Sequence, residues 1–442
     1  MASKKLKLSK GYKLWKKAIK VIEGGTMLYS KNPDRFLPKY WPTYYSKAKG
    51  CEVWDLDNKK YIDFSIMSVG TNILGYANSE VNNYVIKTIK KGNISTLNSP
   101  LDIILAKELL KINPWAQKVK FAKTGGEILA IAIRISRSFT EKNNIAFCGY
   151  HGWHDWYLSA NHNADDDLSE HLIPGLSPKG VPKNLKNSVF TFKYNNYQEL
   201  VDLIEKYDIG VIKMEVIRNS APEDDFLFKV RELANKKNIV LIFDECSSGF
   251  RETFGGIFQK FNVKPDMAMF GKTLGNGYAI TAVVGKKSVM EAAQNSFISS
   301  TFWTERIGPT AALETLKVME RDKSWEKITN TGSKMQNGWL KLAKANKLDI
   351  SIFGIPAMTT YTFNSKNTEA YKTFITQEML KKGFLASTNF YACTKHNDEH
   401  LEIYLDALDD VYKIIYKCES EELDINKLLE GPICHSGFKR LN

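Results

Sequence analysis

The middle of the chain repeats one pattern: a short apolar run, a turn, then a stretch whose apolar residues fall at helical spacing. The apolar runs lie at residues 119–122, 145–148, 211–216, 239–243, 267–270 and 280–284. Runs this short and this continuously apolar suit strands buried on both faces, as in a parallel sheet covered by helices. Between them, Ile128, Leu129, Ala132, Ile135 and Phe139 share one helical face, and Leu200, Val201 and Ile204 share another. Residues 229–237 form a third such stretch. The pattern predicts an α/β architecture with a mostly parallel central sheet flanked by helices. Residues 75–310 are expected to form this large domain. Residues 1–74 and 311–442 supply a smaller one, with a hairpin over 51–64 turning near Asp57 and Asn58.

Four local features along this frame carry chemistry only in combination. Phe243-Asp244-Glu245 puts a carboxylate at the end of an apolar strand, and ligands of open α/β sheets sit beyond the carboxyl ends of strands. Phe270-Gly271-Lys272 puts a lysine after a second such strand and before a glycine-rich turn; a lysine amine forms Schiff bases with aldehydes. Phe121-Ala122-Lys123-Thr124-Gly125-Gly126-Glu127 reads as strand, small-residue turn and helix start, where free N–H groups and the helix dipole favour a phosphate. Gly149-Tyr150-His151-Gly152-Trp153 brings aromatic rings to a fourth strand end. Taken singly, each has an ordinary explanation: a turn aspartate, a surface lysine, a plain turn, core aromatics. Gly125-Gly126 lacks the lysine and hydroxyl that follow the glycines of a nucleotide-binding P-loop.

Together, and in this order, these residues resemble the class III aminotransferases, and within them the glutamate-1-semialdehyde aminomutase branch. The resemblance extends from about Gly50 to the last helix. It takes in Val53-Trp54-Asp55-Leu56-Asp57, Ile73-Leu74-Gly75-Tyr76, Gly180-Val181-Pro182 and Pro265-Asp266 as well as the four features above. It implies the pyridoxal phosphate (PLP) transferase fold of type I and an enzyme that is a transaminase or an aminomutase. By it, Lys272 would hold PLP as a Schiff base and Asp244 would face the pyridine nitrogen. Tyr150 would cover the ring, and Thr124, Gly125 and Gly126 would hold the phosphate. Thr301 would reach the phosphate in a neighbouring subunit, which implies a homodimer with shared sites. Glu215 matches a strand-end glutamate near the cofactor, with a purely structural role as the alternative.

The substrates implied are a small amino donor and a carbonyl acceptor. Arg35, Arg218, Arg251 and Arg306 are the candidates for gripping an anionic group, because a guanidinium donates two parallel hydrogen bonds to a carboxylate or phosphate. Trp303 and Glu305 stand where the family has smaller residues, and are candidates for shaping the substrate pocket or the subunit contact. The polar stretch 154–185, with Asp165-Asp166-Asp167, reads either as a lid that retains an intermediate or as a surface insertion.

The net charge of +13 raises nucleic acid as a partner, but the lysines are spread rather than gathered into a stripe among aromatics. A basic scaffold without chemistry is the competing reading; it leaves Lys272 and Asp244 unexplained. A racemase on the same scaffold is another alternative. The lysine-rich beginning has no apolar centre, so no signal peptide is expected. No apolar run has the length of a membrane span. Six scattered cysteines without CxxC spacing point to reduced thiols in the cytoplasm and to no metal site.

Overall fold

The computed structural model describes residues 5–163, 168, 175–217 and 219–437. Two compact units are present: the described parts of Met1–Asn78 and Lys327–Asn442 form one, and those of Ser79–Glu326 the other.

The second unit is built on a seven-stranded sheet. Its strands are β1 (Lys118–Ala122), β2 (Asn144–Cys148), β3 (Val189–Thr191), β4 (Ile209–Glu215), β5 (Val240–Glu245), β6 (Met267–Phe270) and β7 (Thr281–Gly285). The spatial order is β1-β7-β6-β5-β4-β2-β3. Strands β2 to β6 pair in parallel, and β7 runs antiparallel to both β1 and β6. All six apolar runs became strands within two residues of their expected ends. β3 was not foreseen. It is three residues long at the sheet edge, too short to show a pattern.

Helix α1 (Gly125–Thr140) covers the middle of the sheet. Its Ile128, Ala132 and Ile135 pack with Phe147, Ile242 and Met267 from three strands in one buried cluster. Helix α2 (Tyr197–Lys206) precedes β4 and α3 (Phe226–Lys236) precedes β5, so the parallel steps into these two strands are closed by helical crossovers. Helix α4 (Ile307–Asp322) crosses the expected boundary at residue 310 and lies wholly in this unit.

In the first unit the expected hairpin is present, Glu52–Asp55 against Lys60–Phe64, with Asn58 in the left-handed conformation its turn needs. Tyr45–Lys49 extends it on one side, and Phe384–Ala386 pairs parallel on the other. Phe64 anchors this sheet by stacking on Tyr404 at 4.5 Å and meeting Phe384 edge-on at 5.7 Å. The lysine-rich beginning forms a helix, Lys10–Ala18, capped by Ser9 and burying Trp15 and Ala18.

Candidate active site

Parallel pairing of β2, β4, β5 and β6, and the two antiparallel pairings through β7 that turn β1 the same way, place the ends of these strands along one edge of the sheet. Every cofactor residue implied by the sequence resemblance except Thr301 follows or ends one of them. Glu215 and Asp244 are directly paired across β4 and β5, and Glu245 is paired with Phe270 on β6. Two residues past Phe270, Lys272 donates from Nζ to Ser247 Oγ at 2.6 Å. Ser247 itself lies three residues beyond Asp244, so the lysine and the carboxylate share one loop crossing. Lys272 has φ 34°, a left-handed backbone that side chains rarely adopt.

Asp244 is buried, and its two oxygens have separate partners. Oδ1 accepts the Cys246 N–H at 3.1 Å. Oδ2 lies 2.9 Å from Lys213 Nζ and 2.8 Å from His151 Nδ1. Burial alone would raise its pKa. The Lys213 ammonium beside it outweighs that and holds the carboxyl well below its usual range. Asp244 is therefore an anion throughout the physiological range, the state a protonated pyridine nitrogen requires of its partner.

At the end of β1, Thr124 caps α1: its side chain accepts the Glu127 N–H, while the Glu127 carboxylate accepts the N–H groups of Lys123 and Thr124 at 3.0 and 2.9 Å. The N–H groups of Gly125 and Gly126 carry no hydrogen bond among the described residues, and a Cβ on Gly125 would meet nothing within 4 Å. A helix start that is open at Gly125 and bordered at Gly126 by His154 and Trp153 suits a phosphate. At the end of β2, the Tyr150 N–H donates to Glu215 Oε2 at 3.0 Å, and the Tyr150 ring meets Tyr157 edge-on at 6.0 Å. Gly149 is required here, because a Cβ on it would come within 2.6 Å of that same Glu215 oxygen.

The remaining candidates are distributed differently. Thr301 is exposed at the start of a short helical turn. Trp303 donates from Nε1 to Glu127 Oε1 at 3.3 Å, beside the α1 cap. Glu305 pairs with Lys123 and accepts the N–H groups of Ile307 and Gly308 at 2.7 and 2.8 Å. Glu305 is thus an end cap for α4. Arg306 donates to the carbonyls of Lys91 and Gly92, and buried Arg251 donates from Nε to Ser247 O at 2.6 Å. Arg35 belongs to the first unit. There it lies over the Tyr29 ring and lines a cavity of about 310 Å³ with Lys372 and Thr388. Its Nη1 is buried without a hydrogen-bond partner among the described residues. Arg218 lies outside the described residues, as do Asp165, Asp166 and Asp167. The flanks of that stretch are anchored: Trp156, Tyr157, Ala160 and Leu168 are buried, and Asn161 donates to Leu176 O at 2.7 Å.

The chain matches the class-III aminotransferases over residues 38–409. It belongs to that family. A 3-aminobutyryl-CoA aminotransferase of Cloacimonas acidaminovorans is 33% identical over 421 residues, covering 92% of this chain and 97% of that one. A glutamate-1-semialdehyde 2,1-aminomutase of Methanocaldococcus jannaschii is 31% identical over 433 residues, covering 92% and 99%. Among solved structures, the PLP form of the FumI protein from Sphingopyxis sp. MTA144 superposes with a TM-score of 0.84 at 22% identity, covering 95% of this chain and 99% of its own. The fold is that of the type I PLP-dependent transferases, and the chain is a PLP-dependent enzyme of amino-group transfer. No helix among the described residues is long and apolar enough to cross a membrane, and no metal-binding cluster is found among them. All six cysteines are free and buried.

Sequence reasoning overlooked three members of the site. His151 appeared only as a neighbour of Tyr150, Ser247 only as part of a motif, and Lys213 was passed over. Lys213 left a signal nonetheless: a lysine inside an otherwise apolar seven-residue strand must find an anion or lose its charge.

Proposed function

We propose that this protein is an aminotransferase that exchanges an amino group between a small amino donor and a carbonyl acceptor, with Lys272 as the residue that holds and releases PLP. The observation that carries the reading is Lys272 Nζ held on Ser247 Oγ, in the loop that leaves Asp244. Asp244 would pair with the ring nitrogen. Thr124, Gly125 and Gly126 would take the phosphate on the unspent N–H groups of α1. Tyr150 would cover one face of the ring, and Glu215 would hold Tyr150 in place through its backbone N–H. These groups fit PLP in kind: an amine, an anion, an open helix start and an aromatic ring.

PLP supplies an aldehyde that condenses with amines and a ring that draws electrons from the amine-bearing carbon. The chain supplies the rest. Lys272 would hold PLP and, once released from it, would serve as the base for the donor's α-proton, with Ser247 holding its amine. Asp244 remains charged in a buried setting where an anion acts strongly on what faces it. Arg35, whose Nη1 is buried without a hydrogen-bond partner among the described residues, is kept as a candidate for holding an anionic group. Glu305 and Arg306 are occupied elsewhere.

Association of two copies would fit the same reading. Leu97, Phe297 and Phe302 are 83%, 85% and 70% exposed in the second unit, apolar surface of the kind a second copy covers. Thr301 lies beside Phe302 and would face the partner's phosphate. Light scattering should return twice the chain mass, and Phe302→Asp should return the monomer. Free, buried thiols suit the cytoplasm.

A second reading is an aminomutase, in which donor and acceptor are one retained molecule; the aminomutase relatives favour it. Product analysis with isotopically labelled donor separates the two, since only exchange releases a keto product. The first test of the main reading is borohydride reduction of the PLP-loaded protein followed by peptide mapping. Label on Lys272, absent in Lys272→Ala with activity lowered by roughly 10² to 10⁴ or more, is the expected result. Label on another lysine, or no visible band after incubation with PLP, overturns it.

A further inference from the structure

Among the described residues, Lys213 is the one lysine wholly buried within the sheet, and the proposed reaction gives it no part. Its Nζ lies 2.9 Å from Asp244 Oδ2 and 2.9 Å from His151 Nδ1, and those two atoms are 2.8 Å apart. Three polar atoms at the corners of so small a triangle allow few proton arrangements. On its far side, His151 Nε2 lies 3.0 Å from Cys148 O, and a carbonyl can only accept, so Nε2 carries a proton. Nδ1 is then either a lone pair, in the neutral ring, or a second N–H, in the imidazolium.

The surroundings favour the neutral ring. Burial and the neighbouring Lys213 ammonium push the His151 pKa down, against the opposing pull of Asp244 and Glu215. Phe147, Trp156 and Tyr157 surround the imidazole with ring centroids at 5.8, 6.3 and 5.9 Å. With a neutral His151, Nδ1 and Asp244 Oδ2 are two acceptors facing each other. Only a shared donor makes that approach favourable, and Lys213 supplies it. Burial pushes the lysine's own pKa down, while the Asp244 carboxylate and Glu215 draw it part of the way back up; Cys246, held in its thiol form by burial, faces it without charge.

We propose that Lys213 is a positioning residue: its ammonium donates to both Asp244 Oδ2 and His151 Nδ1, fixing the carboxylate's charge and the imidazole's tautomer at the ring-nitrogen end of the cofactor site. The proposal rests on the assignment of Asp244 above. In its absence His151 must take up a proton to satisfy Asp244, and the partner of the cofactor's ring then titrates with the histidine. Lys213 removes that pH dependence by supplying a permanent donor.

The test is histidine NMR of the PLP-loaded protein, labelled at His Cε1, with His151→Gln identifying the His151 signal. In the wild type, His151 should be neutral and should not titrate between about pH 5.5 and 8.5. In Lys213→Met it should titrate within that range. PLP affinity, measured by fluorescence of the stripped protein, should then weaken about tenfold as the pH rises through the same midpoint. Lys213→Arg, which keeps a charged donor, should behave as the wild type. A folded Lys213→Met whose His151 stays neutral, with PLP affinity unchanged, overturns the proposal. Lys213→Gln is read by the same criterion if the methionine variant does not fold. An imidazolium at His151 in the wild type overturns it without any variant. Borohydride label missing from Lys272 would sink the functional reading instead, while the His151 protonation state is read independently of it.

Discussion

Asp244 and Glu245 are consecutive residues at the end of β5, equally buried, and their pKa values are shifted in opposite directions. Asp244 faces Lys213 and His151 and is kept ionised. Glu245 faces the other side of the strand, where Ser248 Oγ donates to Oε2 at 2.5 Å and Phe258 N–H to Oε1 at 3.1 Å. Its partners are neutral. Burial pushes its pKa up to about 7, and those hydrogen bonds offset the effect only partly. Depth in the sheet is common to both, so depth does not set the charge; the presence of a buried cation does. One side of the strand is equipped to hold a charge against a ligand, and the other to keep a carboxyl nearly neutral inside a packed interior.

Asp244→Asn is the strongest challenge to this contrast. It leaves the Lys213 ammonium buried without its counterion, a loss of about 3–5 kcal/mol. It should also lower turnover by a factor on the order of 10² or more, since the developing charge on the cofactor loses its partner. Denaturant melts and steady-state rates measure the two effects. A variant as stable and as active as the parent would mean that the two sides of β5 do not differ as described.

Glu245→Gln should act in the opposite direction. A carboxyl whose pKa is raised on folding binds its proton more tightly in the native state. Stability therefore falls as pH rises from the unfolded value near 4.5 to about 7, and stays lower above it. Glutamine removes that decline. Ser248 can turn its hydroxyl to accept from the new amide, so the variant should be more stable by about 1–3 kcal/mol at pH 8 and nearly equal at pH 4.5. Asp244 behaves conversely: its contribution is complete above 3.8 and is lost only as pH falls below that value. Melting temperatures across pH distinguish the two residues, and activity at pH 8 should stay close to that of the parent in Glu245→Gln.

A smaller effect sharpens the picture at the other end of the site. Thr124→Ala removes one half of the α1 capping box and should cost about 1 kcal/mol in stability. If the phosphate is held there, added PLP should stabilise this variant less than it stabilises the parent, which thermal melts with and without PLP will show.

The same contrast explains what was legible in the sequence. The strands of the sheet were visible because buried parallel strands must be apolar along their length, and the cofactor residues were visible because they cluster at strand ends in short motifs. The partners of Asp244 were not. His151 and Lys213 come from β2 and β4, 93 and 31 residues away from it, and no local pattern links them. The contacts of Glu305 were hidden for the related reason: its pairing with Lys123 spans 182 residues. The edge strand β3 escaped because three residues cannot establish a period.

The backbone at Lys272 carries one more consequence. A side chain in the left-handed region costs on the order of 1–2 kcal/mol that glycine would not. Mutational drift, acting alone, should replace this lysine with glycine or asparagine and leave the fold more robust for it. Lys272→Gly should accordingly melt higher than Lys272→Ala, and a lineage freed from aldehyde chemistry would have had an easy downhill step available at this position. That the chain still carries a long amine on an unfavourable turn is a record of selection written in one torsion angle.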